Sequence, residues 1–153
     1  MTIKSGIVLG FDFGIKRVGV ATGNTITRQA KALCTITRIG KSRKYNAENF
    51  FAEIAKILKQ WRPIAVIVGL PKHLDGSASE MTKIVQNFAD ELRTKFADMQ
   101  FSLFFADERL SSAIAESVLK DQGISYNKKG NDLKPLIDAV SAQIILQEWL
   151  DNL

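Results

Sequence analysis

The sequence predicts an α/β fold: a mixed five-stranded sheet, made of an antiparallel three-strand meander plus two parallel strands, flanked by helices. Two observations carry this. Gly6-Ile7-Val8-Leu9, Val18 to Ala21 and Ala32-Leu33-Cys34-Thr35-Ile36-Thr37-Arg38 are apolar or β-branched runs. They lie too close together for a crossover helix, so they should pair antiparallel. Further on, Ile64-Ala65-Val66-Ile67-Val68-Gly69-Leu70 and Phe101-Ser102-Leu103-Phe104-Phe105-Ala106 are separated by helical periodicity. That pattern is expected of buried parallel strands joined by right-handed crossovers.

In chain order, the first strand leads to Asp12, which has glycine at positions 10 and 14. Glycine there suits a tight turn and close approach of a bulky partner such as a phosphate or hydrated metal. A loop around Asn24 to Arg28 precedes the third strand, and Gly40 to Lys44 forms a polar, basic connector. Phe50, Phe51, Ile54, Ile57, Leu58 and Trp61 recur at helical spacing, giving a helix over 47–60 that Pro63 closes. These aromatics share a face with aliphatics, which marks them as core rather than as a platform for stacked bases. Ser77 and Glu80 have capping-box spacing and open a second helix carrying Met81, Ile84, Val85, Phe88, Leu92 and Phe96 inward. After the fifth strand, Ser111 or Ser112 caps a third helix ending before Gly123. A basic loop over Gln122 to Lys134 leads to a last helix, with Pro135 at its first position and Leu136, Val140, Ile144 and Trp149 or Leu150 in its apolar stripe.

At 153 residues, 46% hydrophobic and 24% charged, the chain is expected to form one domain over 1–153 with a proper core. No apolar run reaches membrane-spanning length and the start lacks a signal-peptide hydrophobic segment, so a cytoplasmic location is expected. Cys34 is the only cysteine, which excludes an internal disulfide and a cysteine-cluster zinc site. It reads as a small buried hydrophobe. A net charge of +5 favours a polyanionic partner.

The chemistry-bearing residues are acids. Asp12 and the Asp107-Glu108 pair fall at strand ends, and Asp138 lies on a helix whose small neighbours Ala139, Ser141 and Ala142 permit close packing. Ligands in such sheets gather at the carboxyl ends of the parallel strands. Converging carboxylates need cations between them, and oxygen-only ligands favour Mg2+ or Mn2+. Two such ions, about 4 Å apart, activate a water and stabilise a leaving oxygen in phosphodiester hydrolysis.

With GFDFGIKRVGVA at 10–21, GLPKHLDGS at 69–77, DERLSS at 107–112 and DAVSAQIILQ at 138–147, the chain resembles the YqgF/RuvX family. These are ribonuclease-H-like nucleases, described as Holliday junction resolvases or pre-16S rRNA nucleases. The four motifs stand in the family's order and cover nearly the whole chain. The resemblance implies a ribonuclease-H-like three-layer fold and metal-dependent cleavage of a nucleic-acid backbone, with a role in trimming the 5′ end of precursor 16S rRNA. It implies Asp12, an acid of the Asp107-Glu108 pair, and Asp138 as catalytic metal ligands. Which of Asp107 and Glu108 faces the metal stays open, because strand parity is lost at the turn. Ser141 stands where the family commonly carries alanine.

Lys16, Arg17, Arg109 and Lys134 are expected to meet phosphate, as are Lys128 and Lys129 of the basic loop. For Arg109 the rival is a structural salt bridge, and for Lys128 and Lys129 a solvated surface. His73, the only histidine, reads as an exposed loop residue, with proton shuttling as the alternative. Asp75 reads as a turn residue beside Gly76. Asp12-Phe13-Gly14 matches the kinase metal-binding tripeptide, but a glycine-rich loop and catalytic-loop asparagine are missing. An actin-like ATPase would need a second, equivalent lobe. Three functional readings remain: a precursor-rRNA nuclease, a resolvase of four-way DNA junctions working as a dimer, and a non-catalytic nucleic-acid-binding module. The partner is nucleic acid, with the chain a monomer or homodimer.

Overall fold

The computed structural model describes residues 4–39, 44–73, 75–108, 117, 121 and 134–153. Its elements are β1 (Ile7–Phe13), β2 (Arg17–Asn24), β3 (Gln29–Thr37), α1 (Ala47–Trp61), β4 (Ala65–Pro71), α2 (Glu80–Lys95), a 3-10 turn (Ala97–Met99), β5 (Ser102–Glu108) and α3 (Lys134–Asp151). The expected helix after Ser111 or Ser112 lies outside the described residues except for Ser117 and Asp121, both helical; the basic loop lies outside them except for Lys134. No described helix is long and apolar enough to cross a membrane.

The sheet order is β3-β2-β1-β4-β5. β1, β2 and β3 pair antiparallel, and β4 pairs parallel with both β1 and β5. This is the expected meander with two parallel strands. The structure also runs β1 through Asp12 to Phe13, so Asp12 stands inside the strand, opposite Gly19 of β2.

The two faces of the sheet are built from different side chains. One carries α1 and α2 over Leu9, Phe11, Phe13, Val66, Val68 and Leu70, with Phe50, Phe51 and Phe88 filling the space between. The other carries α3 over Val8, Ala21, Ala30, Ala65 and Ile67, met by Ala142, Ile145, Leu146 and Leu150. Burying each large side chain contributes roughly 1.5–3 kcal/mol.

Local chemistry sets the helix ends. Asn46 accepts from the Asn49 amide at the start of α1, and Arg62, in the left-handed region at φ 44°, closes it ahead of Pro63. α2 departs from the expected cap. Ser79 and Thr82 form the capping box, while Ser77 is held by the Asp75 carboxylate through both its amide and its hydroxyl. Ser77 sits in an Asx turn two residues ahead of Ser79, whose hydroxyl oxygen accepts from the Thr82 amide, so the helix starts two residues later. Thr82 Oγ1 also donates to the Pro71 carbonyl, tying α2 to the end of β4.

In α3, Val140 and Leu150 are buried as expected, but Leu136 is 40% exposed and Ile144 half-buried. Ile137, Ile145 and Leu146 take the inward positions instead. This helix crosses the sheet nearly enclosed, so its apolar residues extend around most of its circumference and no single stripe could be chosen from periodicity.

Candidate active site

Asp12 reaches its place through strand parity. A Cβ on Gly10 would touch Leu146 and the Ala142 carbonyl of α3, so even positions of β1 face α3 and Asp12 faces it too. Across the ladder, Gly19 is the partner of Asp12. A Cβ on Gly19 would lie 1.9 Å from the Asp138 carbonyl oxygen and 3.0 Å from the Ala139 nitrogen. The α3 backbone at Asp138 therefore rests directly on β2 beside Asp12, a contact that only glycine permits. Of the two glycines expected to allow a turn and the approach of a ligand, Gly10 admits the helix and Gly14 closes the β1–β2 turn by donating to the Arg17 carbonyl; Gly19, outside that expectation, also admits the helix.

Two side chains of the last motif fix the helix in register. Gln143 donates to the Ala30 carbonyl, while Gln147 accepts from the Ala30 amide and donates to the Arg28 carbonyl. Both clasp the backbone of β3 or its preceding turn and so hold Asp138 along the sheet. Sequence reasoning passed over them. Two glutamines four residues apart on a largely apolar helix were the available signal.

Arg17 opens β2, and its Nε donates to Asp138 Oδ2 at 2.7 Å, with the two side chains 29% and 27% exposed. Arg17 is thus a counter-ion to Asp138, a partner that its reading as a phosphate contact did not include. Lys16 is exposed on the β1–β2 turn, and its carbonyl accepts from the Arg38 and Ile39 amides.

Parity also separates the acidic pair. On β5, Phe104 stacks at 5.6 Å on Trp149 of α3, whereas Phe105 meets Arg93 of α2 at 5.9 Å. Even positions thus belong to the α3 face and odd positions to the α2 face, and pairing with β4 continues regularly through Glu108 opposite Pro71. Asp107, exposed, occupies an odd position. Glu108 occupies the next even one, on the face of Asp12 and Asp138. Phe11, Val68 and Phe105 form one row across β1, β4 and β5. Asp12 lies one residue beyond it and Glu108 three residues beyond it, on strands about 10 Å apart.

Of the remaining expected residues, Lys134 begins α3, and Arg109, Lys128 and Lys129 lie outside the described residues. His73 is exposed in the turn after β4, where its amide donates to the Ser77 carbonyl. Gly76, at φ 88°, completes that turn. Hydrogen bonds from Ser77 hold the Asp75 carboxyl below the usual carboxylate range. Cys34 is half-buried; burial, reinforced by the charge of Glu53, pushes its thiol up and keeps it protonated and unreactive.

The donor set suits a hard divalent cation. It consists of carboxylate oxygens on one sheet face, and a guanidinium is already drawn to one of them. Among the described residues no group of three acidic, histidine or cysteine side chains assembles. Glu108 enters this account by its backbone position alone.

The RuvX family model, described as Holliday junction resolvase, matches residues 6–152. A Dechloromonas aromatica protein named "Putative pre-16S rRNA nuclease" is 42% identical over 147 residues, covering 96% of this chain and 92% of its own. A Burkholderia ambifaria protein of the same name is 39% identical over 150 residues, covering 98% and 92%. Among solved structures, Thermus thermophilus RuvC in complex with a Holliday junction substrate superposes with a TM-score of 0.56 at 18% identity, over 96% of this chain and 94% of that one. The yeast mitochondrial Holliday junction resolvase Ydc2 gives 0.52 at 11% identity, over 94% and 77%. These two likenesses establish the ribonuclease-H-like, resolvase-type α/β fold. With the family match spanning almost every residue and relatives at about 40% identity over nearly their full length, the chain belongs to the RuvX family.

Proposed function

We propose that this chain is a divalent-metal-dependent nuclease acting in the cytoplasm, processing the 5′ end of precursor 16S rRNA during ribosome biogenesis. One observation supports the reading: in a RuvX chain, the Asp138 backbone rests on Gly19, the ladder partner of Asp12, on one sheet face near the carboxyl end of the parallel strands. A purely binding surface gains nothing from acids turned toward phosphates. The names of the relatives at 37–42% identity favour rRNA as substrate.

Asp12, Asp138 and Glu108 are the residues to hold Mg2+ or Mn2+. Glu108 rather than Asp107 is the middle ligand in this reading, a choice supported by its register position on the face of Asp12. When bound, such ions would supply an activated water and a stabilised leaving oxygen. The chain's own residues do the rest. Gly19 and the two glutamines set the position of Asp138, and Arg17 neutralises and orients its carboxylate. Lys16, Arg109, Lys128, Lys129 and Lys134 provide positive charge for the substrate backbone.

The second reading, resolution of four-way DNA junctions by a homodimer, is favoured by the family description. Both are tested together. The protein, with manganese or magnesium, is given an RNA spanning the 5′ end of precursor 16S rRNA and a synthetic four-way junction, with Asp12→Asn alongside. Trimming of the RNA that the mutant lacks is the expected result. Paired symmetric cuts in the junction would establish the resolvase. Binding without cleavage of either substrate, or cleavage that survives Asp12→Asn, would sink the three-acid site.

A further inference from the structure

On the opposite face of the sheet from Asp12, one residue along, lies a cavity of about 210 Å3 that the catalytic reading leaves unused. Its floor is Phe13 and Phe50, both buried, and its rim includes Arg38, Asn87 and Glu91 together with Tyr45, which is 42% exposed. The Arg38 guanidinium sits 4.4 Å from the Tyr45 ring centroid and 4.9 Å from that of Phe13. It is held there by a hydrogen bond to the Ile15 carbonyl in the β1–β2 turn. The cavity is thus tied to both ends of the catalytic turn: Phe13 follows Asp12, and Arg38 grips the residue beside Lys16.

We propose that this cavity receives one unstacked base of a single-stranded nucleic-acid substrate, at a distance from the bond being cut. The proposal rests on the nuclease reading above. Three features specify a base over other ligands. The exposed phenol ring of Tyr45, one face of which the Arg38 guanidinium already covers, offers a π surface on which an unpaired base stacks. Asn87 and Glu91 provide amide and carboxylate groups suited to hydrogen-bonding a base edge. The Glu91 carboxylate would repel a phosphate, so the backbone passes outside while the base turns in. The volume falls below the roughly 300–1,000 Å3 of clefts for drug-sized ligands and suits a single ring system. A duplex, whose bases stay stacked, cannot use such a pocket, so single-stranded ends and loops are selected.

The test uses the Asp12→Asn chain, which leaves the probe intact, and two fluorescent 12-nucleotide single-stranded RNAs of equal charge, one normal and one fully abasic. Anisotropy should show the normal strand binding on the order of 10-fold more tightly, the scale of one base–aromatic stack. Tyr45→Ala should erase that preference without changing affinity for the abasic strand, and Tyr45→Phe should retain it. Melting curves of each variant confirm that the fold is kept. If Tyr45→Ala and Asn87→Ala discriminate the two strands as the parent does, or if the parent binds both equally, the pocket is not a base site. The nuclease reading then stands or falls on the cleavage assay alone. Binding of neither strand by the parent would overturn both.

Discussion

The two faces of the sheet solve opposite problems. Where α1 and α2 lie, the space is filled by rings: Phe88 stacks 4.5 Å from Phe13 and 6.2 Å from Phe11, and Phe50 lies 6.0 Å from Phe88. Where α3 lies, side chains are stripped away at Gly10, Gly19 and Gly23, and Ala21, Ala65 and Ala142 keep the interface thin. The aromatic face derives its stability from buried area. The thin face forgoes some of that area and gains position, since a helix in backbone contact with a strand cannot slide. The candidate catalytic acids stand on the thin face. Precision in this molecule comes from missing side chains, and cohesion from large ones.

Four substitutions would sharpen or break this contrast. The largest loss of stability is expected from Phe88→Ala, about 3–5 kcal/mol for a buried aromatic. Chemical denaturation should show it, while the molecules still folded at low temperature cleave at close to the parent rate. Gly19→Ala should reverse the pattern. Its cost lies near the upper end of the roughly 1–3 kcal/mol of overpacking, yet cleavage should vanish even where circular dichroism reports a folded chain, because Asp138 is displaced. Should Phe88→Ala abolish turnover in folded protein, or Gly19→Ala leave it intact, the division of labour is wrong.

Arg17→Gln comes next, with a loss of up to about 1 kcal/mol for a partly exposed pair. In a double-mutant cycle that loss should disappear in the Asp138→Asn background. An Arg17 that binds phosphate instead would show an RNA-affinity defect that persists there. The smallest effect is a gain. Ser141 is fully buried, and its hydroxyl has no hydrogen-bond partner among the described residues. Ser141→Ala should therefore raise the melting temperature slightly, by the equivalent of about 1 kcal/mol. A drop would mean that the hydroxyl has a role in the site.

Most of the fold was legible because its signals are local. Strand spacing required a meander, helical periodicity placed α1 to within a residue, and a continuous apolar run identified β4 as central. The failures share a cause. Ser77 had the right spacing to cap α2, but it lies in the turn closed on Asp75, and Ser79 takes the cap. Leu136 and Ile144 fitted an apolar stripe, but an almost enclosed helix has no single inner side. Each outcome depended on competition among neighbours that spacing alone does not describe.

By itself, the sequence named the candidate residues: the acids Asp12, Asp107, Glu108 and Asp138, basic residues around them, and motifs that place the chain in one family. Tertiary structure alone decided their relations. It rested the Asp138 backbone on Gly19, the ladder partner of Asp12, paired Arg17 with Asp138, and placed Glu108 rather than Asp107 on the α3 face. Residue type and local period are properties of a short segment. Which face a strand end presents depends on ladder register with β4 and on the helix across the sheet, and those contacts join residues distant in sequence, up to 121 positions apart for Arg17 and Asp138.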